Sequence, residues 1–495
     1  MSAAGCHQRS PPLGKMEFRD VSGYVRRLNE SSTAEAAVIR KQIAAGSTDL
    51  AIERAAAQRE GIPVFPAQLA RPNVPVSTNA AQVYQKLAQR LTSRPIKREA
   101  GYLSWPLTAA NVYTPKEIEI ARRQLADNRD CYNLIDQATD RVVCDFGRNW
   151  NQGPAVLFPE YSRMREAARL LRSESFLLAR EGSYAKAVSE LARGFRLAEH
   201  AASDPILIAY LVGIAIDAIT LAGMEDILII AGPNAEVANL VRRTIETHKP
   251  HFSLKKALFG EVACFQAVSM DMLRRGRKVQ DFESLAAADP FAAAPQTSRE
   301  FTAAEKRFLA DWIDASQARI LRDMPRLIKA ADEPLQVSGP VFKQVADNTP
   351  PSNNPVSILH DLLVPVFSNA RSARSRAEAQ ALAVQAGAAV MAYRAHHGSY
   401  PTRLEQAIPQ LSPDPFTGKP LKYRREPEGF VVYSPGAEGT YDGGKPGLKR
   451  ASREVCFRYP PPKPTRPNPP VTATVPRTIR SPVGTNSNEY AAPNR

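Results

Sequence analysis

The segments Ala392-Tyr-Arg-Ala-His-His-Gly-Ser-Tyr-Pro401, Asp414-Pro-Phe-Thr-Gly-Lys-Pro420 and Gly429-Phe-Val-Val-Tyr-Ser-Pro-Gly436 decide the reading of this chain. Before them, residues 358–395 are rich in alanine, and Ala379, Leu382, Ala386, Val390 and Tyr393 recur at three and four, one apolar stripe of a helix. Gly398 supplies the left-handed residue that ends such a helix. Tyr400-Pro401 then turns the chain outward, and Leu404, Ile408 and Leu411 are spaced to fold a short segment back onto the helix. Leu421–Arg425 and Gly429–Tyr433 read as two strands joined through Glu426-Pro-Glu428, with Glu454–Phe457 as a third. The order is helix, pinned loop, small antiparallel sheet.

Upstream the pattern is helical almost throughout. Thr114-Pro115-Lys116-Glu117 predicts a capping box: the threonine hydroxyl accepts the amide of Glu117, whose carboxylate reaches back to the cap amide. That helix is expected to run to Gln137, with others over 79–88, 159–180, 184–202, 234–247, 253–275 and 298–329, the last kinked near Pro325. Phe308, Trp312, Ile313, Ile320 and Leu321 mark its apolar face. Pro205 to Gly232 is apolar enough to span a bilayer, but Asp217 lies mid-run and Glu225-Asp226 follow. A central Asp opposes insertion by about 2.5–3.5 kcal/mol, so a buried bundle helix is the reading, with these acids in hydrogen-bonded structural roles.

The fold class is therefore mainly α, a helical bundle plus a small α+β module at the C-terminal end. Proline, 41 residues in all, crowds residues 60–76, 335–355 and the tail, which read as linkers. The expected organisation is a flexible segment over 1–78, an all-α domain over 79–333, a Pro-rich linker over 334–355, the module over 356–457 and a disordered basic Pro-rich tail over 458–495. Within 1–78, short helices are expected over 32–45 and 48–59.

The net charge of +15 permits polyanion binding without selecting it. In the tail, Arg458, Lys463, Arg466, Arg477, Arg480 and Arg495 face a single acid, Glu489. No nucleic-acid-binding motif accompanies them, so no specific nucleic acid is expected as partner.

Two resemblances bear on the bundle and the module. Gly182, Tyr184 and Ala187 are similar to the turn of a tetratricopeptide repeat, which implies one such hairpin in the bundle; no second copy follows at the repeat period. The C-terminal module resembles the globular head of type II secretion major pseudopilins. It does so on Ala392-Tyr393, Gly398, Tyr400-Pro401, Asp414-Pro415-Phe416, Gly418, Tyr423, Tyr433-Ser434, Gly436 and the acid-glycine loop Glu438-Gly439 to Asp442-Gly443-Gly444. In that family the last loop holds calcium, so the resemblance makes Glu438 and Asp442 the metal candidates; two acids are few for such a cation, and a metal-free loop is the alternative. The apolar stalk helix that builds pilin filaments has no counterpart before residue 358. The helical region, on Asn79–Tyr84 and Leu211–Ile216, resembles uncharacterised envelope proteins of planctomycete-like bacteria, which implies no activity.

The catalytic inventory is thin. His248-x-x-His251 flanks Pro250, and with Glu261 it forms the one metal trio the spacing offers. His396-His397 sits at the helix stop, where its partners are expected to be helix-end carbonyls or solvent. Nucleophile elbows, P-loops and dinucleotide fingerprints are absent. Ser2-Ala-Ala-Gly-Cys6 resembles a lipobox, which makes Cys6 the lipidation candidate. Cys131, Cys144, Cys264 and Cys456 form no CxxC pair; a Cys131–Cys144 disulfide and four free thiols are both open.

The expectation is a non-enzymatic protein of the cell envelope, periplasmic or on the outer surface. It would act through protein–protein or surface contacts with other envelope proteins, and would meet the membrane only through a lipid on Cys6. No catalytic residue or cofactor other than calcium is expected. The alternatives are a hydrolase with its site in the helical domain and a polyanion binder using the tail.

Overall fold

The computed structural model describes residues 13–69, 71, 73–94, 106–248, 252–266, 299–348, 354–436 and 455–462. It is mainly helical with one small antiparallel sheet. Its spine is a 40-residue helix, Ile358–His397, called α13 below. Gly398, at φ 70°, ends it in the left-handed conformation expected from the sequence.

The two halves of α13 belong to different cores. Val364, Phe367, Ala370 and Ala377 are buried with α1 (Val21–Glu30), α2 (Ala34–Arg59), α11 (Ala303–Ala330) and α12 (Leu335–Asp347). From Ala379 onward the helix is buried with α3 (Ala81–Ser93), α4 (Pro115–Ala126), α5 (Arg129–Thr139), α6 (Pro159–Arg180), α7 (Tyr184–Ala201), α9 (Ala235–Thr247) and the sheet. The apolar helix α8 (Leu207–Ala231) also spans both: Leu207, Tyr210 and Ile214 face the first core, Ile216 and Leu221 the second. It is long and apolar enough to cross a membrane, and it is seated here inside the bundle.

Local chemistry explains most element ends. Thr114 and Glu117 form the anticipated box, the Glu117 amide donating to Thr114 Oγ1 at 3.3 Å and the Thr114 amide to Glu117 Oε2 at 2.6 Å. The helix divides at Asp127-Asn128 instead of continuing to Gln137. Helices α6 and α7 meet at Gly182, φ 78°, which makes the sharp reversal that a side chain would oppose. Helix α11 begins at Thr302, whose capping box with Glu305 was not anticipated at the expected start, Ser298, and it runs through Pro325 as one element. Of the helix expected over 253–275, the described part is α10 (Leu254–Gly260) and a π-helical turn, Glu261–Gln266.

Four expectations are corrected. The lead-in over 1–78 is not loose in its described part, because α1 and α2 pack on α11. Helix α2 passes straight through Gly46, where the sequence suggests a break between two shorter helices. A Cβ at Gly46 would lie 2.6 Å from the Asp311 carbonyl oxygen and 2.8 Å from the Ala315 amide, so the missing side chain lets the two helices cross closely. The supposed linker over 334–355 holds α12, in spite of Pro340. Its Gln336 Nε2 donates to the Pro415 carbonyl at 2.9 Å, tying the segment to the C-terminal module. Finally, Arg458 is not part of the tail. It lies in the third strand and pairs with Glu426 at 2.6 Å.

The sheet comprises β1 (Lys422–Arg425), β2 (Phe430–Ser434) and β3 (Val455–Tyr459), in that spatial order and antiparallel. Its inner face carries Phe430, Val432 and Phe457, all fully buried against the second half of α13. Gly387 makes this docking feasible: a Cβ there would sit 2.3 Å from the Phe457 ring.

The segments quoted at the outset converge on one another. Asp414 is fully buried, and its carboxylate accepts from the Phe416 amide at 3.1 Å, Thr417 Oγ1 at 2.9 Å and Ser434 Oγ at 2.9 Å. Tyr423 on β1 donates its hydroxyl to the Pro401 carbonyl at 2.7 Å, and the Tyr400 ring lies 5.3 Å from that of Phe430. A buried carboxylate with three donors is well compensated. The Asp-Pro-Phe loop is thus a structural clasp.

Candidate functional site

Where α13 passes from one core to the other, the packing opens into a cleft of about 790 Å³. Its walls come from both cores and from the module: Phe195 of α7, Asp217 and Leu221 of α8, Ile245 and Glu246 of α9, Phe252 and Ser253 ahead of α10, Asp332 after α11, Arg374 to Gln385 of α13, and the loop Gln410–Pro415. A volume of this size, mostly apolar with a few polar groups, is typical of small-molecule sites.

Most of its charged groups are already engaged. Arg374 donates to Asp332 Oδ1 and to Glu378 Oε1, both at 2.9 Å. Asp332 also accepts from Ser253 Oγ at 2.7 Å and the Leu254 amide at 2.8 Å, so it caps α10. Glu246, at the rim, pairs with Arg242 at 2.9 Å.

Asp217 is different. It is 5 % exposed, and its Oδ1 is buried without a hydrogen-bond partner among the described residues. Burial alone pushes its carboxyl up to about 7, since no charged neighbour offsets the loss of hydration. The hydrogen-bonded role expected for the acids of this run falls to Asp226, whose carboxylate accepts from Arg172 Nε and from the Ala109 amide, each at 2.8 Å. Nothing in the local pattern around Asp217 sets it apart from Asp226. Only the placement of α7, α9 and α13 makes one carboxyl a crossbrace and leaves the other facing a cavity.

Three other buried polar clusters are engaged in bonds within the bundle. Arg148 bridges Glu160 at 2.8 Å and Asp204 at 3.1 Å while lying over the rings of Phe146 and Phe158, and Tyr161 donates to Asp204 at 2.7 Å. Arg371 reaches Ser338, Ser375 and the Glu333 carbonyl. Burial lowers His200 to about 4, and its ring bonds the Tyr84 hydroxyl at 2.9 Å.

The residues singled out from the sequence do not assemble into a site. Glu438, Asp442, Cys6, His251 and the tail beyond residue 462 lie outside the described residues. Glu261 accepts from the Leu207 amide at 2.9 Å, capping α8, and His248 is exposed at the end of α9 beside Phe195. Among the described residues no group of three or more His, Cys, Asp or Glu could hold a metal. Cys131, Cys144, Cys264 and Cys456 form no disulfide with one another, so the Cys131–Cys144 bridge is not made. Burial raises Cys131 to about 11 and pushes Cys144 upward as well, so neither is a ready nucleophile. The His397 ring lies tilted against that of Tyr393, 4.1 Å between centroids, near the helix stop.

Compared with protein-family models, curated proteins and solved structures, the chain matches none.

Proposed function

We propose that the chain is a non-enzymatic cell-envelope protein acting through protein–protein or surface contacts, with a pilin-head-like module carried on a helical body in place of a filament-forming stalk. The observation that carries this reading is the path of α13. The helix leading into the module is occupied along its first half by packing on α11 and α12, so its buried face is already taken within the chain. The clasp at Asp414 and the Tyr423–Pro401 bond hold together the same positions that carry the resemblance. Among the described residues strand β1 is an edge of the sheet with Lys422 and Arg424 exposed, a surface for contact. Charged residues on such an edge also oppose indiscriminate strand pairing.

The test is made in cells of the source organism. The full chain carrying a photo-crosslinking residue at Lys422 should fractionate with the envelope and form adducts with envelope proteins on irradiation. Recovery in the cytosol would overturn the proposal.

A further inference from the structure

We propose that the cleft between the two cores binds a small organic amine, its ammonium seated against Asp217 and its apolar body lying among Phe195, Leu221, Phe252 and Leu382. This goes beyond the envelope reading and stands or fails separately from it.

Four observations lead there. The first is Asp217 itself, an acid 5 % exposed that lines the cleft with one oxygen unpartnered by any described residue. A carboxyl left in that state opposes folding, and a ligand supplying a charged donor would relieve the cost. The second is the balance of charge. The lining holds Asp217, Glu246, Asp332 and Glu378 against Arg374 alone, and Arg374 is neutralised by Asp332 and Glu378. An anionic ligand therefore finds no unengaged cation among the described lining residues, whereas a cation finds an unengaged acid. The third is the apolar wall, which a hydrated metal ion would leave unused. A divalent cation also needs several oxygen ligands, and no described cluster provides them. The fourth is size: about 790 Å³ admits an aromatic or long-chain amine with room to spare.

The pH dependence follows from the same geometry. Burial raises the Asp217 carboxyl to about 7, so at pH 5 it is mostly protonated and must release a proton before pairing with an ammonium. Apparent affinity should climb about tenfold per pH unit below 7 and level off above it. The other titratable or charged groups near the cleft are Glu246 and His248 on α9, Asp332 after α11, and Arg374 and Glu378 on α13. A control lacking only Asp217 separates them.

The experiment titrates the full chain with dansylcadaverine, a fluorescent primary amine with an apolar body, from pH 5 to 9. Its N-acetylated form, which has the same body without the charge, serves as comparison. The free amine should bind at least about tenfold more tightly than the acetylated form at pH 8, as expected for a hydrogen bond to a charged group. Asp217→Asn should weaken binding by about tenfold or more and abolish the slope below pH 7. Ala381→Trp, which fills the cleft from a half-buried position on α13, should block both probes. No binding of dansylcadaverine to the wild-type chain, equal binding of the two probes, or an unchanged affinity in a folded Asp217→Asn variant each overturns the proposal. Should Asp217→Asn fail to fold by circular dichroism, the probe comparison and Ala381→Trp decide.

Discussion

The two halves of α13 solve the same burial problem in opposite ways. From Ala379 to Ala392 the helix is lined by alanines and a few larger apolar residues, and it meets the sheet through a dry contact at Gly387 and Phe457. The first half carries Arg371 and Ser375, both buried, and its guanidinium reaches Ser338 Oγ at 3.1 Å, Ser375 Oγ at 2.9 Å and the Glu333 carbonyl at 2.7 Å. One half is held by shape, the other partly by a network in which each guanidinium nitrogen of Arg371 has a partner. The cleft lies at the seam, where neither solution is complete, and Asp217 is the group left over. A polar group in a low-dielectric interior stabilises when fully partnered and destabilises when it is not.

The largest effect is expected from breaking the dry half. Phe457→Ala should cost about 3–5 kcal/mol in denaturant unfolding, because the cavity left against Gly387 has rigid walls. A loss below about 1 kcal/mol would mean that the sheet contributes little to holding the helix. If the sheet melts in a separate transition while the bundle stays folded, the halves are distinct cooperative units.

Next comes the networked half. Arg371→Ala leaves Ser338, Ser375 and the Glu333 carbonyl without their donor and should cost about 2–3 kcal/mol. Arg371→Lys should recover only part of that, since an ammonium cannot reproduce the planar fork. Full recovery by lysine would show that charge, and not the three-way geometry, is what matters there.

The smallest effect sharpens the seam. Folded Asp217 titrates at about 7 against about 3.9 for an unfolded aspartate. The folded chain therefore holds that proton more tightly, and stability from this group is full below pH 4 and lost as pH rises to 7. Asp217→Asn should match the wild-type Tm at pH 4 and exceed it by about 2–4 °C at pH 8. Asp226 and Glu261, shifted in the same direction by burial, remain in both proteins and cancel in the difference. Equal melting temperatures at pH 8 would mean that Asp217 is compensated after all.

What was legible in the sequence is what local chemistry encodes. The Thr114 capping box, the glycine stop at Gly398 and the three strands all follow from the conformational preferences of a few consecutive residues. The sequence pattern divides α2 into two shorter helices over 32–45 and 48–59, whereas in the fold Gly46 lies inside one helix and permits the close crossing with α11. The proline content of 334–355 reads as linker because proline weighs against a helix, and tertiary contacts through Gln336 and Phe342 outweigh that preference in α12. The cleft had no signal at all, since its walls come from segments separated by up to about two hundred residues.

By itself the sequence determined the helical class, the small sheet and the pinned loop between helix and sheet, because each is encoded by the pattern of residues within its own segment. Only the tertiary structure decided that residues near the N-terminal end pack on α11, that α13 joins two cores, and that Asp217 faces a cavity while Asp226 is tied down. Those outcomes depend on which helices become neighbours. The energy of a buried polar group is set by its neighbours in space.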